Sequence, residues 1–390
     1  MQLFKKYEKV QENVLAKSME KQKTPQRLQS LDALRGFDMF FIMGGATLIA
    51  AIAAFWPNDF TQWLAAQMDH VKWDGLAHHD TIFPLFLFIA GISFPFSLEK
   101  QRIQGKTEGQ IYKKIIRRGL TLVLLGIIYN GFLGHWDFAN ARYASVLARI
   151  GLAWMFGALI FMNTKWKTRA IIVAVILVGY WIVSAFVGAP DHPGADPLTR
   201  EGCLAGYIDR ILLPGKIYYG DYDPEGIFST IPAIATALLG MFTGEWIKYD
   251  KEGLTPAKKT LYMVYAGIAF LVIGLIWNTF YPANKMLWSS TFVVLVAAYS
   301  VLMFALFYYI IDVKNHRGWI LFFVVIGMNS ITIYLSQHFI NFQYISNRVF
   351  GGLIGMTPET VQPFLNAAGY VAMCWLFLYF LYKKKVFLKV

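Results

Sequence analysis

Histidine and aspartate side chains are concentrated in residues 69–80, which hold three of the chain's seven histidines and three aspartates. A neutral imidazole, with an ordinary pKa of about 6.5, can take a proton from an attacking amine or hydroxyl near neutral pH. A carboxylate beside it can fix the tautomer and stabilise the imidazolium. One of these histidines, with one of the aspartates beside it, could therefore act as a catalytic base. A solvated loop in which Asp80 caps the following helix would use the same residues.

A metal site is the other chemistry that this segment suggests. His78, His79 and Asp80 are adjacent in the sequence, and neighbouring side chains on a helix or strand do not converge on one ion. The segment has neither a pair of cysteines nor the HExxH spacing that binds zinc. We therefore expect no metal ion.

A second cluster, residues 202–227, combines aromatic and acidic side chains. A ring face can lie on the apolar C–H groups of a sugar, while carboxylates bind its hydroxyl or ammonium groups. The candidate substrate-binding residues here are Asp209, Arg210, Asp223 and Glu225. The structural alternative is that the first two hold a loop and the last two begin the next helix.

Polar residues inside or beside apolar runs are costly in a membrane, and they therefore indicate function. Those that could extend the substrate site are Arg149, Asn284, Lys285 and Asn329. Hydrogen bonding between helices also explains a residue such as Asn329.

A basic cluster precedes the third apolar run. Lys114, Arg117 and Arg118 there could neutralise the phosphates of a nucleotide. Arg35 and Asp38, near the start of the first run, could belong to the same site. The rule that basic residues remain in the cytoplasm also accounts for such a cluster.

The composition indicates which elements position these side chains. Hydrophobic residues make up 56% of the 390 residues, charged residues make up 15%, and the mean hydropathy is +0.45. A soluble domain has about 25% charged residues, so this chain has too little polar surface to face water on all sides. The sequence predicts an all-α polytopic transmembrane bundle of about ten spans, each of roughly 20 residues. One domain, 31–390, follows a basic tail, 1–30.

The distribution of basic residues predicts the orientation. The expected spans are 37–55, 80–98, 115–134, 145–162, 170–188, 227–247, 261–280, 287–311, 319–339 and 365–382. With this division, 28 of the 36 Lys and Arg residues fall on the side of the N-terminus and 8 on the other. Both termini are therefore expected in the cytoplasm.

The net charge of +12 then reflects the distribution of basic residues between the two sides of the membrane, and we expect no nucleic-acid partner. The chain has only two cysteines, so we expect no disulfide framework. Its first residues form no apolar leader, so we expect no cleaved signal peptide.

Seven strings in order resemble one family of membrane enzymes, the heparan-α-glucosaminide N-acetyltransferases. They are LDALRG at 31–36, HVKWDGL at 70–76, DTIFP at 80–84, AGYIDR at 205–210, YDPEGI at 222–227, NKMLWS at 284–289 and GMNSI at 327–331. The resemblance implies acetyl-CoA as donor, a glucosamine of a heparan-type saccharide as acceptor, and often a homodimer. It identifies His70 as the catalytic histidine, acting as general base or as acetyl carrier, and Asp80 as the acid that opens the next helix. The family's long lumenal N-terminal extension has no counterpart, which predicts a short form. Gln337-His338 departs from the His-Glu of the lysosomal pattern, so His338 is not assigned.

Acetyl-CoA is too large and charged to cross a bilayer, so the acetyl group must pass through the protein. We expect the nucleotide at the basic cytoplasmic mouth and His70 with Asp80 in the opposite half. There Asn284, Lys285, Asn329 or an arginine polarises the thioester. The membrane would be a bacterial inner membrane. Two alternatives stay open: a sugar or anion transporter, and an O-acetyltransferase of a periplasmic glycan.

Overall fold

The structure is a computed structural model that describes residues 28–131 and 140–388. Within these ranges the chain is helical, with two isolated β-bridges. The expected basic tail lies almost wholly outside the described residues. The helices are α1 (Gln29–Phe40), α2 (Ala46–Phe55), α3 (Asp59–Ala66), α4 (His78–Ile103), α5 (Glu108–Tyr129), α6 (Val146–Asn163), α7 (Trp166–Phe186), α8 (Leu204–Leu212), α9 (Thr230–Lys248), α10 (Pro256–Asn278), α11 (Ser290–Phe307), α12 (Leu321–Met328), α13 (Ser330–Phe339), α14 (Phe342–Ile354) and α15 (Gln362–Lys383). Short π-helical segments join α1 to α2 (Phe41–Gly45) and extend α11 (Tyr308–Val313).

Eight helical segments of the described chain are long and apolar enough to cross a bilayer. The predicted span 319–339 is not one straight helix, because α12 and α13 meet at Asn329 with a bend of 69°. Counted as one span, this bent pair raises the number to nine. The predicted third span corresponds to α5, whose first half carries a basic cluster. The all-α polytopic fold is thus confirmed, whereas the cytoplasmic position of the termini stays a prediction.

Small residues allow the central helices to approach closely. A Cβ atom added to Gly91 of α4 would meet the Ala237 carbonyl oxygen of α9, and one added to Gly240 would meet the Phe88 carbonyl oxygen of α4. Gly36 of α1 is in similar contact with α12. In a bilayer, where lipid tails are as apolar as leucine, such close backbone packing holds helices together. These contacts fix α4 at the centre of the bundle.

The chain alternates between two faces of the bundle, which we name by a residue on each. The His70 face carries the start of α4, and the Lys114 face carries its end. At 1.5 Å per residue, the 26 residues of α4 cover roughly 40 Å, enough to span a bilayer. On the His70 face the connecting segments contact one another: Gly75 N–H donates to the Ala283 carbonyl (2.8 Å), and the Trp73 indole donates to the Leu198 carbonyl (2.8 Å). The free cysteines Cys203 and Cys374 are both buried.

Substitution Gly240→Ala should destabilise the bundle, because the new methyl group meets the backbone of α4. Overpacking costs about 1–3 kcal/mol, which exceeds the gain of about 1 kcal/mol in helix propensity. Thermal unfolding in detergent should show a melting temperature several degrees below wild type. Gly179→Ala is the matched control, because a Cβ atom there meets open space; its melting temperature should equal or exceed wild type. Equal effects of the two substitutions would contradict the close packing.

Candidate active site

His70 and Asp80 form a hydrogen-bonded pair at the start of α4. The distance from His70 Nδ1 to Asp80 Oδ1 is 2.7 Å. The imidazole is half-exposed, with 48% of its side-chain surface accessible, whereas only 1% of the Asp80 side chain is accessible. Since an ionised carboxylate only accepts, the hydrogen lies on Nδ1 and the lone pair of Nε2 remains for a substrate proton. The sequence-predicted pair is therefore a geometric unit.

The start of α4 explains why Asp80 points back at the loop. Its Oδ2 accepts hydrogen bonds from the backbone N–H groups of Ala77 (3.2 Å) and Val71 (3.3 Å). Asp80 thus caps the helix from its first turn, where a negative charge also meets the positive end of the helix dipole. The capping role and the catalytic role proposed from the sequence are not alternatives, because one carboxylate makes both sets of contacts.

Lys285 is brought to this pair from 215 residues away in the chain. Its Nζ lies 3.4 Å from Asp80 Oδ1 and 3.1 Å from His70 Nδ1. Burial lowers the pKa of Lys285, while the carboxylates of Asp80 and Glu225 act in the opposite direction. With the hydrogen on Nδ1, both the imidazole and Lys285 face Asp80 Oδ1 as donors, so the site holds an imidazole and an amine around one carboxylate oxygen.

Asn284 fixes the turn that presents Lys285. Its side-chain oxygen accepts from Leu287 N–H (2.9 Å), and its amide nitrogen donates to Asp74 Oδ1 (3.3 Å). Only 1% of the residue is exposed. Asn284 thus joins the turn to the loop that carries His70, and its contacts are those of a positioning residue.

A second charged group, beside the first, is built around Arg142. This guanidinium donates to both carboxylate oxygens of Asp223 (2.9 and 2.7 Å) and to Glu225. These carboxylates hold the pKa of Arg142 above its usual value against the opposing effect of burial. Arg142 was not among the expected site residues. Its seven-residue spacing from Arg149 was the available signal.

Arg149 is 1% exposed and packs inside this group. It donates to the Ser229 hydroxyl and the Gly226 carbonyl, and its guanidinium carbon lies 4.9 Å from the centre of the Trp288 ring. Lys285 experiences the charges of both Glu225 and Arg149. The predicted residues Glu225, Asp223, Arg149 and Lys285 therefore belong to one region on the His70 face.

Asp209 and Arg210 are held in structural contacts. Asp209 Oδ1 accepts from Ile227 N–H (2.8 Å), and Arg210 bonds to both oxygens of the Asp191 carboxylate (2.9 and 2.7 Å) and to the Asp221 carbonyl (2.8 Å). Burial raises the pKa of Asp209 to about 7. These contacts agree with the structural alternative for both residues.

Asn329 is not brought to this group. It lies at the bend between α12 and α13, where its amide donates to the Val386 carbonyl (3.2 Å) and its oxygen accepts from Thr332 (3.2 Å).

The other two histidines of the first cluster lie beside the His70–Asp80 pair. His78 Nε2 is 3.1 Å from the Tyr299 hydroxyl, and the rings of His79 and His70 are 4.5 Å apart. In residues 28–131 and 140–388, no three His, Cys, Asp or Glu side chains are grouped to hold a metal ion.

A basic cavity of about 770 Å³ lies on the Lys114 face, between the end of α4 and the first half of α5. Its polar and charged lining residues are Ser97, Gln101, Lys106, Gln110, Lys113, Lys114, Arg117, Arg118 and Thr121. The Arg118 guanidinium carbon is 4.2 Å from the centre of the Trp154 ring, which closes one wall. The three predicted nucleotide-binding residues of this segment therefore share one cavity.

Arg35 and Asp38 are not among the residues that line this cavity. Arg35 donates to the Ser93 hydroxyl (3.4 Å), one helical turn from Ser97 of the cavity wall, and lies 3.6 Å from Asp32. Asp38 is 2% exposed. Arg35 is thus a neighbour of the cavity, whereas Asp38 is buried deeper in the bundle.

Fold and site together define a polytopic membrane protein with a histidine–carboxylate pair on one face and a basic cavity on the other. The profile of the heparan-alpha-glucosaminide N-acetyltransferase catalytic domain matches residues 27–276, which is more than half of the chain. The chain belongs to this family.

Two curated relatives agree with this assignment. The human heparan-alpha-glucosaminide N-acetyltransferase is 26% identical over 94% of this chain and 60% of its own length. The mouse protein of the same name is 26% identical over 82% of this chain and 56% of its own length. The chain thus spans less than two thirds of the length of the relatives that it matches.

The raised pKa of Asp209 predicts a pH-dependent contribution to stability. Between about pH 4, the ordinary value for an aspartate, and pH 7, the folded state binds more protons than the unfolded state. Stability is therefore lost as the pH rises through this window and is constant above it. In Asp209→Asn this dependence is removed. The melting temperature of the variant relative to wild type should rise between pH 5 and pH 8, and a constant difference would contradict the raised pKa.

Proposed function

We propose that this protein transfers an acetyl group from acetyl-CoA, bound at the Lys114 face, to the amine of an amino sugar at the His70 face. The observation that carries the proposal is the 2.7 Å contact of His70 with the buried Asp80. The Lys114 face would be cytoplasmic, as the basic residues predict. Location in a bacterial inner membrane and assembly as a homodimer remain predictions.

At the acceptor end, Nε2 of the half-exposed His70 imidazole would take a proton from the amine as the amine nitrogen attacks the thioester carbonyl carbon. A new C–N bond forms, the C–S bond breaks, and the imidazolium gives its proton to the thiolate of CoA. Asp80 would keep the imidazole in the required tautomer and stabilise the imidazolium. Lys285, within 3.5 Å of both ring nitrogens, is placed to stabilise negative charge on the thioester oxygen.

At the donor end, the basic cavity has the chemistry that a nucleotide phosphate group requires. Lys114, Arg117 and Arg118 supply positive charges on one side of the cavity, and Lys106 and Lys113 add two more. Charge-assisted hydrogen bonds of this kind are about twice as strong as neutral ones. A volume of about 770 Å³ falls in the usual range for small-molecule sites.

The two ends are connected along α4. Asp80 and Ser97 are separated by roughly 25 Å at 1.5 Å per residue, so a single extended arm of the donor could link them. A small apolar cavity of about 40 Å³ lies beside the first three turns of α4, lined by Ile82, Phe83 and Phe86 of α4 and by Tyr334 of α13, among others. We place the pantetheine arm along this side of α4.

Replacement of His70 by alanine should lower kcat/KM for acetyl transfer at least 1,000-fold, of the order expected for loss of a general base or nucleophile. The measurement is release of free CoA thiol by purified protein supplied with acetyl-CoA and glucosamine. His192→Ala, an exposed histidine of the same face, is the matched control and should stay within about twofold of wild type. Retained turnover in His70→Ala would overturn the assignment of His70.

The same assay separates the alternative functions, because a transporter would release no thiol even as the wild-type protein. An O-acetyltransferase would use N-acetylglucosamine as well as glucosamine.

Replacement of Lys114 or Arg117 by alanine should raise KM for acetyl-CoA about tenfold each, since one charge-assisted hydrogen bond contributes about 1.5–3 kcal/mol. The KM for glucosamine should not change. Lys167→Ala removes an exposed charge of the Lys114 face outside the cavity, and it should leave both constants unchanged. An equal effect of all three substitutions would indicate a general electrostatic contribution in place of a phosphate site.

A further inference from the structure

The His70 face is acidic, in contrast to the Lys114 face. Its connecting segments, 56–77, 140–145, 187–229, 279–289 and 340–361, contain eleven Asp and Glu residues and seven Lys and Arg residues, a formal charge of −4. The whole chain carries +12. A face with this balance attracts cations and repels polyanions over distances of about 8–10 Å at ordinary ionic strength.

The arginines of these segments are already engaged by the protein, Arg348 by the hydroxyl of Tyr344 (3.1 Å) and the others by carboxylates. Arg142 is bonded to Asp223 and Glu225, and Arg200 is bonded to both oxygens of Asp221 (3.1 and 2.6 Å). Arg210 makes the same kind of bidentate contact with both carboxylate oxygens of Asp191. A planar guanidinium recognises sulfate or carboxylate through the donors that these contacts occupy.

The three lysines of the same segments do not form an anion site either. Lys72 and Lys216 are exposed, and they belong to different segments. Lys285 lies against Asp80. Sulfated, uronate-containing saccharides are recognised by clustered, unpaired basic side chains. The described residues of these segments hold no such cluster.

We infer that the acceptor is a positively charged, unsulfated glucosamine saccharide and not a polyanionic one of heparan type. The inference rests on the proposed function, since it names the substrate class of the same site. Protonated amines of neighbouring sugar units would be attracted by the acidic face, and one unit would lose its proton at His70. Exposed Glu201 contributes to this field and lies in the segment that packs on Trp73 through Leu198.

The test compares two tetrasaccharides with free amines: a β-1,4-linked glucosamine oligomer and a de-N-sulfated heparin fragment that retains its O-sulfates. CoA thiol release by purified protein is followed from 25 to 500 mM NaCl. We expect kcat/KM to favour the glucosamine oligomer at least tenfold at low salt and to fall several-fold with salt for this acceptor. Electrostatically steered association has this salt dependence.

Glu201→Lys should lower kcat/KM for the glucosamine oligomer about two- to threefold at low salt and have no effect at 500 mM NaCl. Glu252→Lys, an equal charge change at an exposed residue of the Lys114 face, is the control and should have no effect on acceptor kinetics. A preference for the heparin fragment would overturn the inference and leave the proposed acetyl transfer intact. Absence of thiol release with every acceptor would instead overturn the proposed function.

Discussion

The contact between Asp80 and the loop before it is the interaction on which the rest of the site depends. One buried carboxylate accepts hydrogen bonds from His70, Val71 and Ala77. The same side chain therefore holds the loop against the helix, caps the first turn of α4 and orients the imidazole. A buried acceptor without its donors is expensive, which makes these contacts mutually dependent. The geometry of the His70–Asp80 pair is therefore a consequence of how the helix begins.

The position of α4 extends this constraint across the bundle. Glycines at the contact with α9 hold its backbone against a neighbour, and the helix therefore has a fixed height relative to the rest of the chain. His70 precedes its first turn, whereas Ser97 and Gln101 near its end line the basic cavity. A displacement of α4 would change the His70–Asp80 pair and the basic cavity together.

The two faces differ in how their basic side chains are paired. On the Lys114 face, basic side chains converge on a cavity, and charge is left for a ligand. On the His70 face, the arginines Arg142, Arg200 and Arg210 are neutralised by carboxylates of the same face, and their function is to hold long loops in register. Family membership with 26% identity to the human relative leaves room for loops of different charge on a common helical bundle.

The sequence by itself determined the local features. The apolar runs predicted the helices, because a helix in a bilayer must satisfy its own backbone. The cluster of histidines and aspartates was visible because its members lie within twelve residues, and the family resemblance selected His70 and Asp80 from it. Lys114, Arg117 and Arg118 were grouped because they lie on successive turns of one helix. The tertiary structure alone decided the rest: Lys285 reaches His70 across 215 residues, Arg142 reaches Asp223 across 81, and Asn329 contacts the segment after α15. Such contacts depend on which helices pack together and at what height, and no local pattern of residue types specifies that arrangement.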